Sequence, residues 1–345
     1  DYAIDKFLGK GIIIYTAPIK ALSNQKFRDF KNQYGAEKVG LLTGDVVINP
    51  QGSVLVMTTE IYRNMLLADD PLIDDVSYVV FDEIHYMNDP ERGSVWEESV
   101  IFSPKHVRFV CLSATIPNAE EFADWIQSTK NHEVKVVRYA KRAVPLKHFV
   151  YEKEAGLTTA QKLKDLFSIP SYDDVRGKGR RSRGGRRQKR EDEESASVEE
   201  VIATMADKLP AIVFSFSRKA CEQDALKSIR KHDFVDRSTD AHRTIVQVCR
   251  EHFTPEVARM RTTHALRECL AKGVGFHHAG LLPQHKEVVE ELFAKGLLSV
   301  LFATETFSVG INMPAKTVIF NGLRKFDGVS FRLINSKEYF QLAGR

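Results

Sequence analysis

Residues 76–85 read Val-Ser-Tyr-Val-Val-Phe-Asp-Glu-Ile-His, an apolar run that ends abruptly in two carboxylates. The run lacks the polar alternation of a half-exposed strand, so it predicts a β-strand that is covered on both faces, as in a parallel sheet between helices. In an open α/β sheet, ligands bind beyond the carboxyl ends of the strands. Asp82 and Glu83 are therefore expected where a ligand would bind.

The same pattern continues on either side of this strand. Apolar runs rich in β-branched residues alternate with segments of helical periodicity, which predicts parallel βαβ units and an α/β fold. The other predicted strands are 11–17, 54–57, 107–112, 211–214, 274–277, 300–303 and 317–320, and the first predicted helices are 21–34 and 60–67. A chain of 345 residues has the length of two domains.

The acidic pair suits two roles in phosphoryl transfer. Asp82 can hold Mg²⁺, which in turn bridges two phosphates, and Glu83 can take a proton from an attacking water. Taken in isolation, the pair is explained better by a strand that simply ends at a solvated acidic turn. The next predicted strand leads into Ser113, whose hydroxyl would lie at the same edge of the sheet.

Several short segments resemble, in their order, the motifs of superfamily 2 helicases. Each is weak alone, but so many in one order make a chance match negligible. The segments are TAPIKAL (16–22, motif Ia), TGD (43–45), TTE (58–60), DEIH (82–85, the DExH box), SAT (113–115, motif III), VFSFSR (213–218, motif IV), FHHAGL (276–281), ATETFSVGINMP (303–314, motif V) and QLAGR (341–345, the start of motif VI). The Asn-Met-Pro ending of motif V and Val-Pro-Leu at 144–146 look most like the superkiller branch of DExH-box RNA helicases.

The resemblance implies two RecA-like lobes, each a parallel sheet with helices on both faces, and both contributing to binding of ATP and Mg²⁺. It implies ATP-dependent 3′-to-5′ unwinding of RNA in processing or decay, with single-stranded RNA and an RNA-decay complex as partners. The expected segments are lobe 1 at 1–150 (motifs Ia to III), a connecting segment at 151–200 and lobe 2 at 201–345 (motifs IV to VI).

Individual roles follow from the same resemblance. Asp82 matches the carboxylate that holds Mg²⁺, and Glu83 matches the catalytic base. Gly310 and Gln341 match positions beside the nucleotide, and Arg345 matches an arginine finger, which would stabilise the negative charge of phosphoryl transfer. The residues that match the coupling of ATP state to lobe closure are His85, Ser113, Ala114 and Thr115. Those that match backbone contacts to the bound strand are Pro18, Lys20, Thr43, Gly44, Thr59, Arg63 and Thr304.

Two family features have no match in the sequence. No Gly-x-x-x-x-Gly-Lys-Ser/Thr phosphate loop occurs, and motif VI stops before its second arginine. We therefore expect a chain that starts after the phosphate loop, with its first lobe truncated at the N-terminus, and that hydrolyses ATP poorly by itself although its full-length parent is an ATP hydrolase. Two alternatives stay open at this stage: a DNA helicase of the repair branch, whose motifs are similar, and a non-catalytic RNA-binding adaptor. The intact acidic pair argues against the adaptor.

Charge is concentrated in one place. Residues 176–190 carry nine Lys and Arg, and residues 191–194 are all acidic, so this stretch has a net charge of +5 and the rest of the chain −1. The tract is rich in Gly, Arg and Ser and is predicted to be disordered. It resembles an RNA-binding element, and a solvated linker or, in a eukaryote, a nuclear-import signal explains it as well.

Cysteine usage and hydropathy exclude other classes of protein. The four cysteines form no Cys-x-x-Cys pair, so reduced thiols are favoured over a zinc site built from Cys249, His252, His264 and Cys269. His277-His278 is better explained as a strand end before a glycine turn than as a metal site. No apolar run is long enough to span a membrane. We expect an intracellular, cytoplasmic protein, with the nucleus left open for a eukaryote.

Overall fold

The computed structural model describes residues 2–8, 11–89, 91–113, 116, 118–139, 144–167, 196–236, 238–308 and 315–344. The basic tract at 176–190 lies outside these residues. The described chain divides into two compact units, one up to residue 139 and one from residue 144 onward. None of the described helices is both long enough and apolar enough to cross a bilayer.

The first unit is built on a six-stranded sheet with strand order β3-β2-β4-β1-β5-β6. All neighbouring strands are parallel except the pair β2–β3. Its elements are α1 (Tyr2–Phe7), β1 (Ile12–Ala17), α2 (Lys20–Tyr34), β2 (Val39–Leu42), β3 (Val47–Ile48), β4 (Val54–Thr58), α3 (Thr59–Leu67), β5 (Val76–Phe81), α4 (Gly93–Phe102), β6 (Arg108–Cys111) and α5 (Ala119–Lys130), with 3-10 helices at Pro71–Asp75 and Ile84–Asn88.

Alternate residues of β1 face opposite sides of this sheet, and both sides are covered. Ile13, Tyr15 and Ala17 belong to an apolar cluster that includes residues of α1 and α2, whereas Ile14 belongs to one that includes residues of α3, α4 and α5. All four side chains are buried. The expectation of a parallel sheet with helices on both faces is therefore confirmed for this unit, and the unbroken apolar pattern of the strand has its cause in the two covered faces.

The second unit has a four-stranded parallel sheet with strand order β10-β11-β9-β12, and α8 and α11 contact β10. Two antiparallel hairpins, β7–β8 and β13–β14, stand apart from the sheet. The elements are β7 (Val150–Glu152), β8 (Gly156–Thr158), α6 (Ala160–Phe167), α7 (Val198–Thr204), β9 (Ala211–Phe214), α8 (Arg218–Lys231), α9 (Asp240–His252), α10 (Pro255–Ala258), α11 (Arg261–Leu270), β10 (Val274–His277), α12 (Pro283–Ala294), β11 (Val300–Ala303), β12 (Thr317–Phe320), β13 (Arg324–Phe326), β14 (Phe331–Leu333) and α13 (Ser336–Ala343).

The sequence did not predict β2, β3 or either hairpin. β2 is short and contains Gly40, where a Cβ would lie 2.2 Å from the carbonyl oxygen of Asn49. A glycine that permits such a close backbone approach weakens the apolar pattern by which strands are recognised. The segment expected to connect the lobes, 151–200, contains part of the second unit, since β8, α6 and all of β7 except Val150 lie in it. The expected segment boundaries at 150 and 200 stay predictions.

Candidate functional site

Three neighbouring strands of the first sheet bring the predicted motifs to one edge. Thr16 of β1 is in register with Phe81 of β5, and Phe81 is in register with Cys111 of β6. The amide of Asp82 donates to the carbonyl oxygen of Thr16 at 3.0 Å, and the amide of Ile84 donates to the carbonyl oxygen of Leu112 at 3.0 Å. The residues that follow these strands are thus held side by side at the carboxyl edge.

Asp82 is fixed through both oxygens of its carboxylate. Oδ2 accepts a hydrogen bond of 2.5 Å from the hydroxyl of Tyr15, and Oδ1 accepts one of 3.0 Å from the amide of Glu83. Burial, reinforced by the charge of Asp82, raises the pKa of Tyr15, so this hydroxyl stays protonated and acts as a donor. A carboxylate oxygen accepts more than one hydrogen bond, which leaves Asp82 able to bind a further donor or cation.

Glu83 has an unusual backbone conformation. Its φ of 52° and ψ of 44° lie in the left-handed region, which non-glycine residues adopt rarely and at an energetic cost. Its Oε2 lies 3.1 Å from Nδ1 of His85, and the same nitrogen lies 3.1 Å from the Ser113 hydroxyl. His85 is buried. The left-handed turn therefore places the Glu83 carboxylate against a buried imidazole that also reaches motif III.

Some of the predicted nucleotide and coupling residues cannot be placed. Ala114, Thr115, Gly310 and Arg345 lie outside the described residues. Gln341 lies on α13 and is partly buried. The observed link between the DExH box and motif III is therefore the contact between His85 and Ser113.

Lys20 and the turn at 43–45 form one exposed corner of the first unit. Lys20 Nζ lies 2.5 Å from Oδ2 of Asp45, and both side chains are more than half exposed. Gly44 lies beside this pair and is exposed, whereas Thr43 is buried and its Oγ1 accepts a hydrogen bond from the amide of Val46. Lys20 and the main chain at Gly44 are thus accessible to a ligand, and the Thr43 side chain stabilises the turn.

Thr59 and Arg63 lie on α3, which begins at the carboxyl end of β4. Thr59 is fully buried, and among the described residues its hydroxyl has no hydrogen-bond partner. Arg63 Nη1 lies 2.9 Å from Oε2 of Glu98 on α4. A ligand at this helix start would meet backbone N–H groups, which suit phosphate oxygens, and would not meet the Thr59 side chain.

Thr304 follows β11 at the carboxyl edge of the second sheet. Its hydroxyl lies 3.0 Å from that of Thr306, and both residues line a pocket with Phe216, Arg218, Ala279 and Glu305. These side chains come from the segments that follow β9, β10 and β11, so the second sheet also gathers its motifs at one edge.

The two histidines at the end of β10 each pair with a glutamate. His277 Nε2 lies 3.1 Å from Glu290, and His278 Nε2 lies 2.9 Å from Glu222. Burial lowers the pKa of His278, and the neighbouring Glu222 opposes that change. Among the described residues, no group of three or more His, Cys, Asp or Glu side chains is arranged to hold a metal ion. The glutamate partners were not anticipated from the sequence.

Tyr15 is the functional candidate that sequence reasoning missed. The available signal was a single phenol within an isoleucine-rich buried strand, because a buried tyrosine hydroxyl usually finds a hydrogen-bond partner. The partner itself, Asp82, follows another strand and is 67 residues away in sequence, so only the order of strands in the sheet reveals the contact.

Comparison with known proteins agrees with this geometry. Residues 2–122 match the DEAD/DEAH box helicase family, and residues 233–345 match the helicase conserved C-terminal domain. The chain is 43% identical over 349 residues to the DExH-box ATP-dependent RNA helicase DExH9 of Arabidopsis thaliana, covering 96% of this chain and 35% of that protein.

Two human proteins are similar to the same extent. Superkiller complex protein 2 is 42% identical over 353 residues, covering 96% of this chain and 28% of that protein. Exosome RNA helicase MTR4 is 41% identical over 369 residues, covering 100% of this chain and 34% of that protein. The chain spans about a third of the length of these curated relatives. It belongs to the DExH-box helicases, in the superkiller-type branch.

Proposed function

We propose that this chain is the motor core of an ATP-dependent RNA helicase that moves 3′ to 5′ along single-stranded RNA during RNA processing or decay. The observation that carries the proposal is the cluster of Asp82, Glu83, His85 and Ser113 at one sheet edge, with contacts of 3.1 Å from His85 to both Glu83 and Ser113. Further support comes from the relatives, which are named as RNA helicases and as proteins of the exosome and the superkiller complex.

Glu83 is the proposed general base. Its carboxylate is oriented by His85, and its left-handed backbone sets it beyond the end of β5. A positioned carboxylate can take the proton of a water molecule that attacks the terminal phosphate of ATP. Ser113 follows the adjacent strand β6 and contacts the same imidazole. A displacement of the DExH turn or of the segment after β6 would therefore move His85 and, through it, the Glu83 carboxylate.

Asp82 is the proposed Mg²⁺ residue, and its surroundings fit that role. Carboxylate oxygen is the ligand that Mg²⁺ prefers, and a Mg²⁺ bound through one carboxylate keeps waters and phosphate oxygens as its other ligands. When bound, Mg²⁺ would neutralise charge that develops on the phosphates. The hydrogen bonds from Tyr15 and from the Glu83 amide hold Asp82 in one orientation for this contact. The chain contains no Gly-x-x-x-x-Gly-Lys-Ser/Thr sequence. The phosphate contacts that such a loop makes are therefore not assigned to residues of this chain.

The proposed RNA contacts are the Lys20–Gly44 corner, the start of α3 and the pocket at Thr304. Cations and backbone N–H groups bind phosphate oxygens without distinguishing bases. This suits a motor that must move along any sequence. Proteins of an RNA-decay complex are the proposed partners, and the interior of the cell is the proposed location.

Unwinding assays with the complete protein test this function. Matched duplexes of RNA and DNA with a 3′ or a 5′ single-stranded tail would be offered with ATP and Mg²⁺. The proposal predicts strand displacement on the 3′-tailed RNA and ATP hydrolysis stimulated by RNA. Equal displacement of the DNA duplexes would favour the repair-type helicase, and RNA binding without hydrolysis would favour the adaptor.

A further inference from the structure

Arg92 connects three segments that are far apart in sequence. Its Nη2 donates to the carbonyl oxygen of Pro18 at 2.6 Å, and its Nε donates to Oε1 of Glu60 at 3.0 Å. Its guanidinium carbon lies 5.6 Å from the ring centre of Trp96, which is fully buried. One side chain therefore joins the turn after β1, the first turn of α3 and the body of α4.

The position of Arg92 is fixed by a tight turn that starts at the DExH box. Asp89 Oδ1 accepts hydrogen bonds from the amides of Glu91 and Arg92, both at 3.0 Å. A Cβ at Gly93 would lie 2.2 Å from the carbonyl oxygen of Met87, so a side chain there would force this turn apart. The 3-10 helix that follows Glu83 therefore leads directly to a rigidly placed guanidinium.

The two groups that Arg92 binds lie within the proposed RNA contacts. The Pro18 carbonyl precedes the start of α2, where Lys20 is located, and Glu60 is next to Thr59 at the start of α3. A guanidinium presents several N–H groups in a fixed plane and can bind a carbonyl and a carboxylate together, whereas a lysine ammonium cannot reproduce that planar fork. The contact is thus suited to hold two backbone segments in one arrangement.

We infer that Arg92 is a positioning residue for RNA binding, which holds the starts of α2 and α3 in a fixed arrangement with the DExH turn. This inference rests on the proposed RNA-binding function. It goes further by naming a residue that affects the contacts to the RNA without itself touching the RNA. It also gives a structural path from Glu83 to the RNA contacts within one lobe, through Asp89 and Arg92.

The test combines a measurement without RNA and one with RNA, both on the complete protein. Hydrogen–deuterium exchange of the backbone amides at 23–26 and 62–65, the first amides that are hydrogen-bonded within α2 and α3, should be faster in Arg92→Ala than in the parent protein. The affinity for a fluorescein-labelled oligouridylate, measured by anisotropy without nucleotide, should fall about tenfold, as for the loss of a charged hydrogen bond. The slope of log K against log salt should not change, because no phosphate contact is lost.

Variants separate positioning from other roles. Arg92→Lys should recover only part of the affinity, and Glu60→Gln combined with Arg92→Ala should bind no more weakly than Arg92→Ala alone, since both remove the same link. The matched control is Lys130→Met. Lys130 is a buried cation of this unit, whereas Arg92 is partly exposed, and the Nζ of Lys130 donates to the carbonyl oxygens of Ile101 and Ser103. Its loss should lower the melting temperature while the RNA affinity stays at the parental value.

Three results would overturn the inference. Unchanged exchange at 23–26 and 62–65 in Arg92→Ala would mean that Arg92 does not hold these segments. Unchanged RNA affinity, in a parent protein that does bind, would mean that the arrangement is irrelevant to RNA. A salt slope shallower by about 0.7 would identify Arg92 as a direct phosphate contact. If exchange is faster in Arg92→Ala but the parent protein itself fails to bind oligouridylate, the proposed RNA-binding function is refuted and the positioning of the segments stays supported.

Discussion

Glu83 in the first unit and Glu338 in the second are both held by basic side chains, but their surroundings are opposite in kind. Glu338 accepts two hydrogen bonds from Arg332, at 2.7 and 2.9 Å, and lies 2.8 Å from Lys325. Arg332 first, then Lys325, holds the pKa of Glu338 at about 2. Glu83 lies in a strained turn against the imidazole of His85, beside the Ser113 hydroxyl.

This difference separates a carboxylate that stabilises a fold from one that can move a proton. A carboxylate surrounded by cations is a weak base near neutral pH, because efficient proton transfer requires a pKa close to the working pH. Glu338 also completes the capping box of α13, in which its amide donates to Asn335 Oδ1 at 2.8 Å. Its charge therefore stabilises the second unit, and we expect its removal to lower the free energy of unfolding. Removal of a charge at the DExH edge should instead weaken nucleotide binding or slow ATP hydrolysis.

The largest effect that would sharpen this contrast is expected for Asp82→Asn. Removing the charge should weaken binding of Mg²⁺–ATP by roughly 10²-fold or more, because loss of even a hydrogen-bond partner of a metal ligand costs about 10- to 100-fold. The melting temperature should fall only slightly, since Asn keeps one acceptor oxygen for the two donors, Tyr15 and the Glu83 amide, and neither of these partners is a cation. Titration of a fluorescent ATP analogue at several Mg²⁺ concentrations measures the first quantity, and calorimetry measures the second. A large loss of stability with normal nucleotide binding would reverse the assignment.

Glu338→Gln should show the converse behaviour. Loss of hydrogen bonds to charged groups should destabilise the second unit by about 1–3 kcal/mol. Because the folded pKa of Glu338, about 2, lies below the ordinary value of 4.5, its contribution is present above pH 4.5 and is lost as the pH falls toward 2. Melting temperature against pH should therefore decline through this window in the parent protein and be flatter in the variant. Parallel curves for the two proteins would show that Glu338 makes no pH-dependent contribution to stability in this window.

A smaller effect is expected for Tyr15→Phe, which removes only the hydroxyl that holds Asp82. The Mg²⁺ concentration at half-maximal nucleotide binding should rise roughly threefold to tenfold, as for one lost hydrogen bond. Tyr62→Phe is the matched control, since the Tyr62 hydroxyl is buried in the same unit and lies 2.5 Å from the Ser103 hydroxyl. Both variants should lose some stability, but only Tyr15→Phe should change the Mg²⁺ dependence. An equal change in both would indicate a general loss of packing.

The strand at 76–81 and the four strands of the second sheet were predicted from sequence with the bounds observed. The strands β9, β10 and β11 are fully buried, whereas the edge strand β12 is only partly buried. A short, mainly apolar run is the sequence pattern by which such strands are recognised. β2, whose apolar run is interrupted by Gly40, was missed, and so was the hairpin β13–β14, whose strands have only three residues each. The hairpin is also largely exposed and mixes charged with aromatic residues, which gives no alternation to recognise.

The candidate site likewise has some features that the sequence predicts and others that only the fold reveals. Asp82, Glu83 and His85 are adjacent in sequence, so their pattern was visible without a fold. The contacts of Tyr15 with Asp82 and of Ser113 with His85 depend on β5 lying between β1 and β6. That order is a property of the folded sheet. The burial of Thr59 could not be foreseen for a related reason, because a threonine at a helix start has the same sequence pattern whether its side chain faces solvent or the core.

Single-turnover ATP hydrolysis by Glu83→Gln, with nucleotide and RNA saturating, tests the central claim most directly. The substitution preserves shape and removes the base, so the rate constant in the complete protein should fall by about 10² to 10⁴, the usual contribution of a positioned general base. Binding of ATP, Mg²⁺ and RNA should persist, because Asp82 and the RNA contacts are unaltered. Hydrolysis by Glu83→Gln at close to the parental rate, under the same saturating conditions, would contradict the assignment of Glu83 as the base and with it the proposed mechanism.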